Sequence, residues 1–496
     1  MFINLASVLR YQNWLIIFFR TTKLHRALGS LWSFIVRCSY SKNASLDGEK
    51  IGNVNFSSIK KYHQNNYLDD NAVWYLNRVC HGKDLHIGVK NRDDYTKELV
   101  FSYLEWIFSV DNSFDKHLLV DVITNSLRSR FSNEPSSVSL RIYPLIYAYK
   151  KGLLDRDFLS QNLFSCFESL QKKVELDVGA NHLIDNFISA SILSLLFHRY
   201  RIARIYIFLL RASLAHSTSS GFYEERNPTY AVGLSIRLQI LIDIIDSVGV
   251  DRAKFVSSAF KLRCFKERLL VNPSAQINDS YLPFSVIYKK DEGINTEAEH
   301  YCPDYFFKKR FGNLEASLIL NSIGRRGYNA HAHDASMSLF VFDSTLEKFV
   351  ICGYGTACYA ACQERSFSRS SDQYPTVSSE FKRTIVGLGS FRLGRIFRPE
   401  IKEIKKNKFQ DERLKLSYQF DDGIKISSQN IRSKFHFYSD FDDLDKINGK
   451  CSISFRGESK IIKRKTQRYD GIYNVIDSYH YEISFDDDLV ISFENN

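Results

Sequence analysis

The stretch NHLIDNFISASILSLLF, residues 181–197, has the periodicity of a buried α-helix. Its apolar residues recur at intervals of three and four, which gathers them on one side of a helix. The polar residues Asn181 and His182 open this helix. Similar patterns occur on both sides of the stretch, so it belongs to a longer helical region.

Helical periodicity extends from about residue 95 to residue 270. Its other segments are ELVFSYLEWIFSV (98–110), LLVDVITNSLRSRF (118–131), RIYPLIYAY (141–149), RIYIFLLRASL (204–214) and SIRLQILIDIIDSV (235–248). Segments of this length with short polar breaks predict antiparallel helical hairpins packed side by side.

Beyond about residue 280 the pattern changes to short strands. The runs rich in β-branched and aromatic residues are SLFVF (338–342), KFVICGYG (348–355), KLSYQF (415–420), CSISF (451–455), YHYEISF (479–485) and LVISF (489–493). Helices followed by strands predict an α+β multidomain chain that ends in an antiparallel β-sandwich. We expect VNPSAQINDSYLP (271–283) to be the linker and the charged EIKKNKFQDERLK (403–415) to be a solvated loop.

The charge balance favours an anionic partner. The 496 residues include 67 Lys and Arg against 56 Asp and Glu, a net charge of +11. A nucleic acid, a membrane surface and an acidic glycan are all anionic. No zinc-finger spacing, RNP-like run or Walker loop occurs, so we expect no nucleic acid partner.

Cysteine usage and the N-terminal region predict a cytoplasmic protein. The nine cysteines are scattered without CxxC pairs, which is typical of free thiols in a reducing compartment. The apolar runs at 13–20 and 28–36 are shorter than a membrane-spanning helix and are interrupted by basic residues, unlike a signal peptide. This region is interpreted as a helix packed on the main body or as a basic arm in peripheral contact with a membrane.

Three stretches carry candidate chemistry. In YNAHAHDASMSLF (328–340), alternation along a strand places His331 and His333 on one face. A metal pair, a catalytic base with a helper and a packed polar cluster all fit two such imidazoles. The other stretches are GANHLIDN (179–186) and GFYEERNPTY (221–230), and all three meet only if the helical domain faces the strand domain across a groove.

These motifs resemble those of the heparinase II/III and alginate lyase superfamily of polysaccharide lyases. NHLID is similar to its Asn-His helix start, YEERNPTY to its E-x-S-P-x-Y loop and HAHDASMSLF to its H-x-H-x-D strand. FVICGYGTACY with ERSFSRS resembles the strand, glycine turn and Arg segment that follow. The resemblance implies a basic arm with leading helices at 1–94, an (α/α) toroid at 95–275 and an antiparallel β-sandwich at 276–496.

The resemblance also implies site residues. Asn181 would neutralise the uronate carboxylate, and Tyr230 and His331 would exchange protons with the sugar. The implied substrate-binding residues are His182, Glu225, Arg226, Arg365 and Arg369. Without the resemblance, Asn181 is equally a helix N-cap, Tyr230 a core aromatic, and the arginines surface charges.

The metal site of the superfamily is only partly retained. Metal-containing members have an Asp before the glycine turn, where this chain has Cys352, and a His-Asn-Thr segment where it has QYPTV (373–377). Tyr374 then takes the position of the metal-binding His. A site of His333 and Cys352 is therefore incomplete, so we expect no cofactor but leave zinc open.

Two hypotheses of function follow from the resemblance. The first is a lyase that cleaves an acidic, uronate-containing oligo- or polysaccharide by β-elimination, in bacterial capsule, O-antigen or exopolysaccharide metabolism. The second is a catalytically weakened glycan-binding or scaffold protein of surface-polysaccharide biosynthesis, since Ala231 also replaces a His that often follows the tyrosine.

Overall fold

Helices come first and strands second in the computed structural model of the chain. The described residues are 45–54, 56, 102–110, 115–128, 131–175, 180–218, 223, 227–245, 255–259, 299–302, 305–321, 335–346, 348–355, 367, 370, 373–378, 385–387, 393–396, 401–412, 415–429, 433–444, 451–470 and 474–495. The chain divides into two compact units, one mostly before Arg263 and one mostly after Lys290. None of the helices in the described ranges has the length and hydropathy needed to span a membrane.

The first unit is helical, as predicted. Its α-helices are α1 Gly48–Asn53, α2 Lys116–Ser126, α3 Pro135–Lys150, α4 Arg156–Lys172, α5 Ala180–Leu196, α6 Tyr200–Ser217 and α7 Pro228–Ile244. Helix α5 packs against α3, α4 and α6. Only residues 197–199 separate α5 from α6, so these two helices form a hairpin.

Helix α5 is buried on almost all sides, which explains its apolar sequence. Its last twelve residues, from Asp185 to Leu196, are all buried. Ser191 and Ser194 donate to the carbonyls of Phe187 and Ala190 at 2.6 Å, so their hydroxyls are satisfied inside the helix.

One predicted helix is partly wrong. Within residues 98–110, Glu105–Ser109 form a 3-10 helix instead of an α-helix. Leu104 precedes it in the left-handed conformation, with φ of 60°, which ends any regular helix there. Capping agrees with the sequence elsewhere: Asp155 accepts from the backbone N–H of Phe158 at 2.7 Å at the start of α4.

The second unit consists of antiparallel strands. They are β1 Glu299–Cys302, β2 Phe306–Phe311, β3 Leu314–Ile319, β4 Ser338–Asp343, β5 Lys348–Ile351, β6 Thr376–Ser378, β7 Ile385–Gly387, β8 Leu393–Ile396, β9 Ile401–Lys405, β10 Lys408–Asp411, β11 Leu416–Phe420, β12 Gly423–Ser428, β13 Ser433–Ser439, β14 Cys451–Asp470 and β15 Asn474–Asn495. One sheet has the order β1-β2-β3-β4-β5. A second has the order β6-β13-β15-β12-β11-β10-β9, with β14 paired to β15, and β7 pairs with β8.

Both larger sheets contribute to one hydrophobic core. Leu318 and Leu339 of the five-stranded sheet lie in the same buried cluster as Tyr418, Phe435 and Ile483 of the second sheet. The helix-then-antiparallel-sheet prediction is confirmed. The toroid, the sandwich and the boundaries 1–94, 95–275 and 276–496 stay predictions.

Two strand predictions need correction. The charged residues 403–415 are not simply a loop: they contain most of the hairpin β9–β10, in which Phe409 is fully buried. The charges of β9 lie on exposed positions of an edge strand, where they hinder unwanted pairing, whereas Asp411 of the inner strand β10 is buried. The runs at 479–485 and 489–493 are one strand, β15. The apolar segments 13–20 and 28–36 and the linker 271–283 lie outside the described residues.

Candidate functional site

Asn181 and His182 lie in the first turn of α5, which begins at Ala180. The sequence prediction that these residues open a helix is confirmed. Asn181 is inside the helix and is not its N-cap, so the capping interpretation is wrong. Both side chains are partly exposed, whereas the helix becomes buried from Ile184 onward.

A buried polar cluster lies directly below this turn. The Nδ1 atom of His182 is 3.2 Å from Oε1 of Glu175, and the amide of Asn186 donates to Oε2 of Glu175 at 3.3 Å. The backbone N–H of Glu175 donates to Oδ1 of Asn186 at 2.8 Å. Glu175 is thereby bonded to two residues that are four apart on α5 and face the same side.

The cluster continues from α5 to α3 through hydroxyl groups. The amide of Asn186 donates to the Ser139 hydroxyl at 3.0 Å, and Ser189 donates to the Ser139 carbonyl at 2.8 Å. The hydroxyls of Ser189 and Tyr143 are 3.0 Å apart. Burial raises the pKa of Tyr143 above its ordinary value, so this phenol stays neutral.

An ion pair joins α5 to α7. Arg237 donates from Nε and from one terminal nitrogen to the two carboxylate oxygens of Asp185, at 2.6 and 3.0 Å. The side chain of Asp185 is 7% exposed. Glu105 shares the electrostatic environment of this pair: burial raises its pKa to about 7, with Asp185 adding to the rise and Arg237 opposing it.

Tyr230 lies in the first turn of α7 and is partly exposed, unlike a fully buried core aromatic. Arg237 is two turns further along the same helix, and Asp185 is one turn beyond Asn181 on α5. Asn181 and Tyr230 are thus in the first turns of two helices that the ion pair connects. Of the predicted site residues, the described structure holds Asn181, His182, Tyr230 and Cys352. His331, His333, Glu225, Arg226, Arg365 and Arg369 lie outside it.

In the second unit the structure brings three motif segments together. Leu339, which follows the HAHD stretch, donates its backbone N–H to the carbonyl of Pro375 at 2.7 Å. Tyr354, after the glycine turn, donates its backbone N–H to the carbonyl of Gln373 at 2.7 Å. A Cβ on Gly353 would lie 3.1 Å from the backbone carbonyl oxygen of Gln373, a tight contact that glycine avoids, and 3.4 Å from the ring of Tyr374.

Solved structures of polysaccharide lyases share this architecture. Heparinase III matches with a TM-score of 0.61 at 12% identity, over 92% of this chain and 86% of that chain. Heparan sulfate lyase HepC from Pedobacter heparinus matches with a TM-score of 0.50 at 10% identity, over 95% and 88%. The chain has a heparinase-like polysaccharide lyase fold. The resemblance to this superfamily is confirmed at the level of the fold, although no family model and no curated protein matches the sequence.

The structure describes Cys352 and Tyr374, the two residues that the motifs align with metal ligands of the superfamily. Cys352 is fully buried, and its thiol donates to the Tyr438 carbonyl at 3.3 Å. Tyr374 is also buried, and its ring packs against Gly353. Within the described residues, no group of three or more His, Cys, Asp and Glu side chains is placed to hold a metal ion. The described part of this site does not fit zinc, and we derive no step through a metal.

Sequence reasoning missed the charged and polar residues that interact with helices α5 and α7. Glu105, Glu175, Asp185, Asn186 and Arg237 are absent from the predicted site. A signal was present, because Arg237 is the single charge in AVGLSIRLQILI (231–242) and Asp185 interrupts an apolar helix one turn after Asn181. A lone charge within an apolar helix indicates a buried partner.

Proposed function

We propose that this protein cleaves an acidic, uronate-containing glycan by β-elimination. The observation that carries the proposal is the placement of Asn181 and Tyr230 in the first turns of two ion-paired helices within a polysaccharide lyase fold. Partly exposed side chains in these turns give a ligand access, and the buried polar contacts of α5 and α7 hold the two helices in place.

The reaction needs an amide, a phenol and an imidazole in distinct roles. Asn181 hydrogen-bonds the uronate carboxylate, which stabilises the negative charge that develops when the C5 proton leaves. A base, Tyr230 or His331, takes that proton while the C4–O bond breaks and a C4=C5 double bond forms. The other residue protonates the departing oxygen, so the step needs no oxidant.

The remaining residues bind the acidic sugar. His182 is proposed to do so, and the support is its 29% exposed side chain in the first turn of α5. Four further sugar-binding residues are proposed from the sequence motifs alone: Glu225, Arg226, Arg365 and Arg369. The positive charge of the chain favours a polyanionic substrate such as bacterial capsule, O-antigen or exopolysaccharide. The proposed location is the cytoplasm, with peripheral membrane contact through the basic N-terminal region.

A second candidate function is glycan binding without turnover. Cys352 and Tyr374 stand where metal-containing relatives have ligands, and both are buried and packed. This loss favours a scaffold that retained the sugar-binding residues and lost part of the machinery.

An ultraviolet absorbance screen separates the two functions. Purified protein is tested on a panel of uronate-containing and bacterial surface glycans, because elimination creates an absorbing C4=C5 bond and binding does not. Tyr230→Phe should abolish the signal, whereas Tyr149→Phe, at the partly exposed end of α3, should retain it. Binding of a glycan without absorbance would support the scaffold, and a full signal from Tyr230→Phe would refute the role of Tyr230.

A further inference from the structure

The second sheet has a regular outer face where β13, β15 and β14 lie side by side. Its register places three rows of side chains across these strands: Lys434, Ser484 and Lys460; His436, Glu482 and Ile462; and Tyr438, His480 and Arg464. Side chains alternate between the two faces of a sheet, and the residues between these rows, such as Phe435 and Ile483, lie in the buried core cluster. The side chains of the three rows therefore lie on the face away from that core, and we call them the basic face.

Three of the four corners of the basic face carry exposed cations. Lys434, Lys460 and Arg464 are exposed, and Tyr438 at the fourth corner is buried. Lys460 and Arg464 are four residues apart on one strand, a backbone separation of about 13 Å, and Lys434 lies two strands from Lys460, about 10 Å away. The one carboxylate of the face, Glu482, lies in the central strand and pairs with Lys434 at 2.9 Å. The face therefore presents a net positive charge over an area that a short oligosaccharide covers.

The interior of the basic face is formed by flat rings and is less exposed than its corners. The rings of His436 and His480 are stacked, with centroids 5.8 Å apart and an angle of 6° between their planes, and the ring of Tyr438 is 4.9 Å from that of His480. Burial first, and then the neighbouring basic groups, lower the pKa of His480 to about 4 against Glu482, so this ring is uncharged at neutral pH. The side chains of His436 and Glu482 are 13% and 17% exposed, against 48% for Lys434. Rings and a carboxylate thus lie between more exposed cations.

We propose that the basic face is a second binding surface for the acidic polysaccharide, so that the protein takes a chain longer than the unit that it cleaves. Uronate carboxylates pair with Lys460 and Arg464, which are complementary to them in charge. The C–H faces of the sugar rings pack on the uncharged ring of His480, and a sugar hydroxyl donates to Glu482. A phospholipid surface supplies anions but no sugar ring for the interior of the face, so a glycan fits the whole surface better.

This inference rests on the proposed function for the identity of the polymer. The two are otherwise independent, because no residue of the basic face takes part in the proposed cleavage.

The test reverses the two exposed cations of β14 in the variant Lys460→Glu, Arg464→Glu. The matched control is Lys405→Glu, Lys406→Glu, which reverses two exposed cations at the β9–β10 turn and changes the net charge equally. The variant Lys460→Gln, Arg464→Gln removes the charges without reversing them, and it keeps the test decisive if the Glu variant does not fold. Urea unfolding followed by circular dichroism establishes which variants are folded.

The probe is polygalacturonate, an unbranched uronate polymer, with dextran as its uncharged counterpart. Binding is measured at low ionic strength with Tyr230→Phe added to every variant, so that the polymer is not consumed. We expect the Glu variant to raise the Kd for polygalacturonate about tenfold, the Gln variant to raise it by less, and the control to leave it within a factor of about two. Added salt should weaken binding and reduce these differences, because it screens exposed charges.

Three results would overturn the proposal. The first is a protein with its basic face intact that does not bind polygalacturonate, or binds dextran equally well. The second is a Kd that the changes on β14 leave unaltered, or that the control raises as much as they do. The third is tighter binding, through the same two cations, to phosphatidylglycerol vesicles or duplex DNA, which would assign the face to a membrane or a nucleic acid.

The failure of this inference is distinguishable from that of the proposed function. If no glycan is cleaved while the changes on β14 still weaken polygalacturonate binding, the lyase proposal fails and the basic face stands. If a uronate glycan is cleaved and the changes on β14 alter neither its KM nor the Kd for polygalacturonate, the basic face is overturned and the lyase proposal stands.

Discussion

Removing the charge of Arg237 should destabilise the helical unit strongly. The Arg237→Met change keeps most of the side-chain stem but removes both hydrogen bonds to Asp185. The carboxylate of Asp185, 7% exposed, is then left buried without its cation. Breaking a buried ion pair on one side costs about 3–5 kcal/mol, and we expect a loss of that size in the free energy of unfolding.

The size of this loss should depend on pH. Arg237 also opposes the rise in the pKa of Glu105, which is already about 7. Without the guanidinium, the pKa values of both carboxyl groups rise further in the folded state. Protonation removes the uncompensated charge, so the destabilisation should be smaller at pH 5 than at pH 8.

Replacing both partners should recover most of the loss. In the double variant Asp185→Leu, Arg237→Met no charge of the pair remains, and an apolar pair in place of a buried ion pair is often neutral or stabilising. Urea unfolding followed by far-ultraviolet circular dichroism reports the helices, and Arg204→Met on an exposed position of α6 is the control. A loss below about 1 kcal/mol in Arg237→Met at pH 8 would refute the argument, because the pair would then be as weak as an exposed one.

Two further predictions concern pH, with opposite signs. Folding raises the pKa of Glu105 from 4.5 to about 7, so its contribution to stability, about 3 kcal/mol, is present below pH 4.5 and is lost as pH rises to 7. In Glu105→Gln the urea midpoint should depend less on pH over this range, and an unchanged pH dependence would contradict the assignment. Burial first, then His436 and Arg464, lowers the pKa of His480 from 6.5 to about 4, against Glu482. The free energy of unfolding of the strand unit should therefore fall by about 3 kcal/mol as pH falls from 6.5 to 4. His480→Phe should remove this pH dependence in thermal melts followed by near-ultraviolet circular dichroism, and a variant that keeps the wild-type dependence would contradict the prediction.

Local sequence pattern was sufficient to predict helix α5 and strand β4. The helix predicted at 181–197 is α5 at 180–196, because its apolar spacing and its burial agree. The strand predicted at 338–342 is β4 for the same reason. Here local preference and tertiary packing lead to one structure.

Predictions failed where a distant contact decided the local structure. FDDDLV (485–490) has the composition of a turn, yet β15 continues through it because β12, β13 and β14 pair with its two halves. The bulge at Gly457, with φ of 91°, takes up the change of register on β14. Residues 403–415 likewise form a hairpin because the partner β11 holds β10 in the sheet.

The candidate site was predictable only in part. Asn181 and Tyr230 came from motifs with recognisable neighbours in the sequence. Glu175, by contrast, precedes its partner Asn186 by eleven residues and is joined to it across the chain segment before α5. The pair Asp185 and Arg237 is separated by 52 residues, and no local spacing specifies such a partner.

The buried polar groups of the helical unit are better explained by their fixing the arrangement of the helices than by a gain in the free energy of unfolding. Apolar residues in place of Asp185 and Arg237 would stabilise the unit about as well or better. A bonded polar network instead restricts its members to one arrangement, and this one connects α3, α5 and α7 below the turn of Asn181 and His182. If placement is the reason, the double variant should unfold at the wild-type urea concentration or above it and yet bind the proposed glycan substrate less tightly. Wild-type binding in that stable variant would show that the network has no part in the site.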